Sequence, residues 1–192
     1  SLYDSVRCFV LAVVIRSMRG QENKHKSMLV HASRFTIKHS EIAELIGEYL
    51  ESLNNDVMTY SKLDSVAGVH MKDIKETFER EYVDKINLHN VLNPDSEIEV
   101  EFSWDQVRLN LYEYLSTIII REVHQDRIAP LEYDDNDPVN VIVIGGISLS
   151  RGFTLEGLTV SYFLRGTLFY DTLMQMARWY GYRTGYKDLC RI

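Results

Sequence analysis

Cysteine is scarce in this chain of 192 residues, which contains only Cys8 and Cys190. Two cysteines so far apart form no disulfide framework and match no metal-binding spacing, which favours a reduced, cytoplasmic protein. No apolar run approaches the length of a membrane span, and no secretory signal is visible. We therefore expect no membrane partner.

A phosphate-binding loop is also missing. The sequence contains no G-x-x-x-x-G-K-[ST] pattern and no acidic Walker-type box behind a strand. Those groups hold a nucleoside triphosphate and its magnesium ion in many ATPases. If the chain serves such an enzyme, it supplies only half of the nucleotide site.

Acidic residues are scarce at the two ends of the chain, and basic residues are scarce in its middle, although the net charge is only −7. Residues 1–39 carry 7 Lys and Arg against 2 Asp and Glu, residues 40–144 carry 8 against 23, and residues 145–192 carry 6 against 3. This pattern predicts two basic ends around a solvated acidic insert at about 55–117. The ends are compatible with nucleic-acid binding, whereas a basic surface over the whole domain is excluded.

Hydrophobic periodicity predicts strands that alternate with helices. The predicted strands cover 27–31, 118–123, 141–145 and 159–164, and the predicted helices cover 1–19, 40–53, 71–85, 104–117 and 171–180. The first helix is expected to be amphipathic, with a capping box of Ser1 and Asp4 and with Arg16 and Arg19 favouring its C-terminal dipole. The order of elements indicates an α/β fold with a mostly parallel sheet and helices on both faces.

The chain is organised around the segment 141–183. An apolar strand ends at Gly145 and Gly146, a polar loop follows to Gly157, and a second strand leads into the helix 171–180. Asp171, Gln175 and Arg178 fall on one face of that helix. Because parallel strands bind ligands at their carboxyl ends, these polar groups are candidates for a site.

These residues resemble known motifs. The sequence SRGFTLEGL at 150–158 resembles motif V of superfamily-two helicases, and Gln175, Arg178 and Arg183 resemble motif VI. More closely, the segments GGISLSRGFTLEGLTVSYFLRG and DTLMQMARWYGYR, with SMLVH at 27–31, resemble the Z-one (Z1) domain. That domain occurs in bacterial proteins that contain a superfamily-two motor and are described as endonucleases.

The resemblance implies one RecA-like domain over residues 1–192, equivalent to the second motor domain of a helicase and cut from a longer chain. ATP and Mg²⁺ would be bound mainly by an N-terminal phosphate-loop motor domain of the same full-length protein. Arg178 would act as the arginine finger, with Gln175 as its polar partner and Arg183 as the second choice.

The resemblance also implies contacts for the loops. Gly152, Thr154, Glu156 and Asp171 would lie near the nucleotide. Phosphates of a nucleic acid, with DNA favoured, would be contacted by two groups: Ser148, Ser150 and Arg151 in the motif V loop, and His31, Ser33, Arg34 and Lys38 after the first strand. The motif VI spacing departs from the helicase pattern, and Thr154 replaces a common Asp, which weakens the case for a ribose contact.

Two other classes of function remain open. The chain could be a catalytically inactive RecA-like module that binds nucleic acid or a protein. It could also be a metal-dependent nuclease, because Asp95, Glu97, Glu99 and Glu101 provide spaced carboxylates. The lysine of such nuclease sites is missing, and alternating Glu residues suit an exposed strand, so we expect no metal site.

Overall fold

A four-stranded parallel sheet forms the centre of the computed structural model, which describes residues 1–32, 36–63, 68–95, 98–123, 134, 137–146, 155–164 and 184–192. The strands are β1 (Lys26–His31), β2 (Ile118–Val123), β3 (Asn140–Gly145) and β4 (Leu158–Phe163). They lie in the order β2-β3-β1-β4, and every neighbouring pair is parallel. The predicted α/β fold and all four predicted strands are confirmed, with each boundary within one residue.

The two inner strands are almost entirely buried because both faces of the sheet are covered. Every residue of β1 is buried, and β3 is buried from Val141 onward. Met28 and Val30 point to one face, while Leu29 points to the other. The outer strand β2 instead alternates between partly buried and exposed residues, as expected at an edge.

The described residues form five α-helices. They are α1 (Leu2–Met18), α2 (Thr36–Tyr60), α3 (Val69–Phe78), α4 (Asp84–Leu92) and α5 (Trp104–Leu115). A π-helix, Glu79–Val83, joins α3 to α4, and a short 3-10 helix covers Lys187–Leu189.

Helix α1 is a core helix, buried on all sides over much of its length, and not the amphipathic helix that the sequence predicts. The predicted capping box between Ser1 and Asp4 is present, but residues 8–17 are all buried. The helix packs against β1 and β4 on one side and against α3 and α5 on others. A helix enclosed in this way has no solvated face, which explains why its sequence is apolar nearly all round.

Helix α2 is longer at both ends than predicted. It begins at Thr36, so Ser40 is an internal residue whose hydroxyl donates to Glu122 at 2.9 Å and does not cap the helix. It continues to Tyr60 because Leu53 and Val57, four residues apart, are both fully buried on its inner side.

The acidic middle of the chain contributes to the main core. Met71, Ile74 and Phe78 of α3 and Leu111 of α5 lie in the same buried cluster as α1 and one face of the sheet. The predicted helix 71–85 is divided, because the π-helix separates α3 from α4. The acidic residues occupy the outer sides, so the charge of this segment is solvated while its apolar side chains are not.

The other face of the sheet has its own apolar cluster. Leu29, Val141 and Val143 pack there with Leu155 and Leu158. The predicted helix 171–180 lies outside the described residues.

Gly157 provides a test of this packing. Its φ is +65°, and a Cβ built there would lie 1.8 Å from the carbonyl oxygen of His25. Gly20 has a similar φ of +76°, but nothing lies within 4 Å of its Cβ position. Both alanine variants bear the cost of a left-handed backbone, about 1 to 2 kcal/mol, and only Gly157→Ala adds a steric clash.

We therefore expect Gly157→Ala to lower the free energy of unfolding by at least about 2 kcal/mol more than Gly20→Ala. Urea denaturation of the two variants measures the difference. Equal losses would show that the close approach of Gly157 to His25 does not constrain the fold.

Candidate functional site

Helix α2, which follows β1, and Leu155, which precedes β4, pack on opposite faces of the sheet. After β1, α2 packs Ile42 and Ile46 into the cluster that contains Met28 and Val30. After β3, the chain returns to β4 through Leu155, which is buried on the other face. Neighbouring strands with this arrangement leave a crevice at their carboxyl ends, where α/β proteins bind ligands.

The candidate site therefore lies where β1 and β3 end. Ala32, just after β1, donates its backbone N–H to the carbonyl of Gly145 at 2.9 Å, which fixes the two strand ends side by side. Gly145 and Gly146 follow the last apolar residue of β3, and their lack of side chains leaves room for a ligand to approach the backbone. The position of the strands in the sheet thus identifies the carboxyl ends of β1 and β3 as a candidate site, independently of the helicase-like motifs.

His31 is the buried polar side chain at this edge. Its residue is only 6% exposed, and its ring centroid lies 5.6 Å from that of Phe163 at the end of β4. Burial lowers the pKa of His31, and the nearby His39 acts in the same direction, so the imidazole is neutral at pH 7. Neither ring nitrogen has a hydrogen-bond partner among the described residues.

Lys38 lies close to the same edge, near the start of α2, but it is exposed. Its ammonium pairs with Glu41 at 2.9 Å, and both side chains are largely in solvent. Such a pair is weak, so Lys38 can exchange Glu41 for a phosphate at little cost. The adjacent Ser40–Glu122 hydrogen bond connects this part of α2 to the end of β2.

Glu156 lies at the amino ends of the strands, whereas His31 lies at a carboxyl end. Its carbonyl accepts a hydrogen bond from the Ser27 hydroxyl at 2.6 Å, beside the start of β1. His31 is four residues further along the strand, about 13 Å away at the usual rise of a strand. The structure thus brings His31 and Lys38 to one edge but does not bring Glu156 to them.

The remaining predicted site residues lie outside the described residues. They are Ser33, Arg34, Ser148, Ser150, Arg151, Gly152, Thr154, Asp171, Gln175, Arg178 and Arg183.

Arg16 has a role that the sequence analysis missed. Its guanidinium is buried in the last turn of α1 and donates to the carbonyls of His25 at 3.2 Å and Gly157 at 3.1 Å. The same group lies 3.9 Å from the centre of the Tyr186 ring, a cation–π distance. Arg16 therefore joins the residues that precede β1 and β4 to the C-terminal segment. An Arg directly after the apolar run of residues 8–15 was the available signal.

Arg19 anchors the C-terminal segment at the same end of the domain. It forms a two-point ion pair with Asp188, at 2.9 and 2.8 Å, and donates to the Gly185 carbonyl at 3.0 Å. It also pairs with Glu101 at 2.6 Å. The expected dipole interaction of Arg16 and Arg19 is therefore secondary to these long-range contacts.

The described residues hold no group of three or more His, Cys, Asp or Glu side chains placed to bind a metal ion. Glu101, one of the spaced carboxylates, pairs with Arg19 instead, while Asp95 and Glu99 are exposed. Among the helices described, none is long and apolar enough to cross a membrane.

The Z1 domain family model matches residues 1–192, the whole chain. The chain belongs to the Z1 domain family. Searches of curated proteins and of solved structures return no significant match. The family assignment thus supports the Z1 part of the resemblance, and the similarity to helicase motifs remains a resemblance of sequence.

His31 is expected to be replaceable without loss of stability. In His31→Leu, an imidazole with no described hydrogen-bond partner becomes apolar, so the free energy of unfolding should stay unchanged or rise by about 1 kcal/mol. His25 is the matched control, because it is equally buried but its Nδ1 accepts the Val139 N–H at 3.2 Å. His25→Leu should lose about 1 to 2 kcal/mol. Thermal or urea unfolding of both variants compares them, and equal losses would mean that His31 has a partner in the fold.

Lys26 is a second buried cation that the sequence analysis missed. The residue lies at the start of β1, is 1% exposed, and its ammonium donates to the Lys24 carbonyl at 3.3 Å. Burial lowers the pKa of Lys26 to about 8, and the charge of Arg16 contributes to the decrease. The folded protein therefore holds this proton less tightly than the unfolded chain, where the pKa is 10.5.

Stability should consequently rise with pH between about 8 and 10.5, where the unfolded chain binds more protons. Lys26→Met removes this titration, so the variant should be the more stable protein at pH 7, and its advantage should shrink towards pH 10. Unfolding free energies of both proteins at several pH values measure this difference. If the stability advantage of Lys26→Met stays constant or grows with pH, the charge on buried Lys26 does not lower the free energy of unfolding.

Proposed function

We propose that this Z1 domain is the second motor domain of a nucleic-acid-dependent ATPase, of helicase or translocase type, in an endonuclease-associated DNA-processing or defence protein. One observation carries the proposal. The strands β1, β3 and β4 are parallel and end at the same edge, at His31, Gly145 and Phe163. The three segments that carry the helicase-like residues each follow one of these ends along the chain.

The described part of this edge suits phosphate contacts from one side. It offers the neutral His31, the exposed cation Lys38 and the backbone beside Gly145. It offers no set of carboxylates for Mg²⁺ among the described residues. The proposal therefore assigns the phosphate loop and the metal ligands to a separate first motor domain, which agrees with the absence of G-x-x-x-x-G-K-[ST] from the sequence.

In this proposal ATP binds between the two domains, and the Z1 domain acts on its outer phosphate. When bound with Mg²⁺, ATP supplies a γ-phosphoryl group whose transfer develops negative charge. Arg178 serves as the arginine finger that stabilises this charge, and Gln175 assists as a polar partner. Ser148, Ser150 and Arg151 contact phosphates of the nucleic acid, together with the loop after β1.

Chain geometry favours Arg178 over Arg183 for the finger. Gly185 is held beside Arg19, at the edge of the sheet opposite His31. Arg183 precedes Gly185 by only two residues, which span at most about 7 Å. Arg178 is seven residues from Gly185, so its chain has the reach to place a side chain at the edge where β1 ends.

In the full-length protein, Arg178→Ala should lower ATP turnover by roughly a thousandfold or more, because the developing charge loses its main protein cation. Arg183→Ala is the matched control and should cost much less. Turnover is measured in the presence of DNA, with thermal midpoint and DNA affinity as checks that both variants are folded.

The outcomes separate the open alternatives. Normal turnover in Arg178→Ala and none in Arg183→Ala would move the finger to Arg183. Full-length protein that binds DNA but hydrolyses no ATP would indicate a binding module. ATP turnover that follows purified residues 1–192 alone would contradict the two-domain proposal.

A further inference from the structure

Helix α4 buries none of its side chains in the described structure. Three of its apolar residues, Leu88, Val91 and Leu92, are 58, 77 and 69% exposed. Their spacing of three and four residues places them on one face of the helix. Single exposed apolar residues are common on proteins, but three on one helix face form a patch that calls for an explanation.

The helix is nevertheless held in position. A helix of this length is unstable alone in water. Here α4 continues from α3 through the π-helix, whose Tyr82 is buried in the core. On the side away from the patch, the Asn90 carboxamide makes two hydrogen bonds to the backbone of Ile98, each 2.8 Å long. The patch is therefore displayed by a fixed scaffold.

The chain that returns from α4 is acidic and exposed. Asp95 and Glu99 are exposed, and neither forms an ion pair with a described residue. Ile98 and Val100 alternate with these acidic residues and are exposed as well. Beside this segment lies an open groove of about 880 Å³, bounded on its far side by Gly185 and Asp188.

We propose that residues 84–95 and 98–101, which we term the arm, dock a basic amphipathic segment of a partner protein. Apolar side chains of that segment would cover Leu88, Val91 and Leu92, and its Lys or Arg residues would lie near Asp95 and Glu99. Leu88, Val91 and Leu92 do not line the groove, so the segment would lie across the exposed face of α4, with apolar anchors at helical spacing and charges around them.

Charge selects this partner over the other candidates. Residues 40–144, which include the arm, have 23 acidic and 8 basic residues, so they repel the phosphates of a nucleic acid. A second copy of the chain would place two acidic arms against each other. A basic segment gains from both the apolar face and the acidic residues, which raises its association rate as well as its affinity.

The arm is also separate from the candidate nucleotide site. Its groove is bounded by Arg19 and Gln21, which lie between α1 and the start of β1. That is the edge of the sheet opposite His31 and Gly145. A partner on the arm therefore leaves the crevice between β1 and β3 accessible, and the inference does not rest on the proposed motor function.

The test uses the full-length protein and a fluorescent designed peptide, a four-turn amphipathic helix of Leu and Lys, with a Leu and Glu peptide as its counterpart. Fluorescence anisotropy measures binding of both at several salt concentrations. The Lys peptide should bind in a salt-dependent manner, and the Glu peptide should not bind.

Three variants locate the binding. The combination of Leu88→Gln, Val91→Gln and Leu92→Gln should weaken binding about tenfold or more while the thermal midpoint stays unchanged, because these side chains are not buried. Asp95→Lys with Glu99→Lys should weaken it as well. Leu109→Gln on α5 is the matched control, since Leu109 is 58% exposed like Leu88, and it should bind normally.

Three results would overturn the proposal. Equal binding of the Lys and Glu peptides would remove the role of charge. Unchanged binding by the triple variant, or an equal loss in Leu109→Gln, would remove the role of the arm. Self-association of the wild-type protein that the triple variant abolishes would assign the patch to a second copy of the chain.

Discussion

The buried guanidinium of Arg16 is the interaction on which the arrangement of the domain depends. It donates to the carbonyls of His25 and Gly157, the residues that precede β1 and β4, so it sets where both strands begin. The Ser27 hydroxyl and backbone N–H add bonds to Glu156 and Gly157, at 2.6 and 3.1 Å. In a buried setting such hydrogen bonds reinforce one another. The amino ends of β1 and β4 are thereby fixed, and the carboxyl ends of the strands are left for ligands.

Much of the fold was predictable because it depends on local signals. The strands follow from short apolar runs rich in β-branched residues, and the start of α1 follows from the capping pattern of Ser1 and Asp4. The order of the strands was not predictable, since it depends on pairings between residues more than a hundred positions apart, such as Met28 with Ile142. The candidate site depends on that order, because His31 and Gly145 lie side by side only when β1 pairs with β3.

The candidate site was predictable in part for the same reason. His31 is the last residue of a strand that the sequence predicts, which places it at the carboxyl end of β1, and its role stays a prediction. Glu156 lies beside Ser27 at the start of β1, because the chain must return to the amino ends of the strands before β4 begins. Arg16 bonds to Gly157, which is 141 residues away, and the burial of Lys26 arises from tertiary packing, so local patterns do not reveal the role of either residue.

The C-terminal residues complete the outer side of β4. Arg191 accepts a hydrogen bond from the backbone of Ser161 and donates one to that of Thr159, both 2.9 Å long. This pairing covers part of an edge that would otherwise offer a template for strand addition by another molecule. Strand β2, at the other edge, carries Arg121 and Glu122 among its isoleucines. Charged residues on an edge strand oppose its pairing with an edge strand of another molecule. The two outer strands are therefore protected against aggregation differently, β4 by the pairing with Arg191 and β2 by its charged side chains.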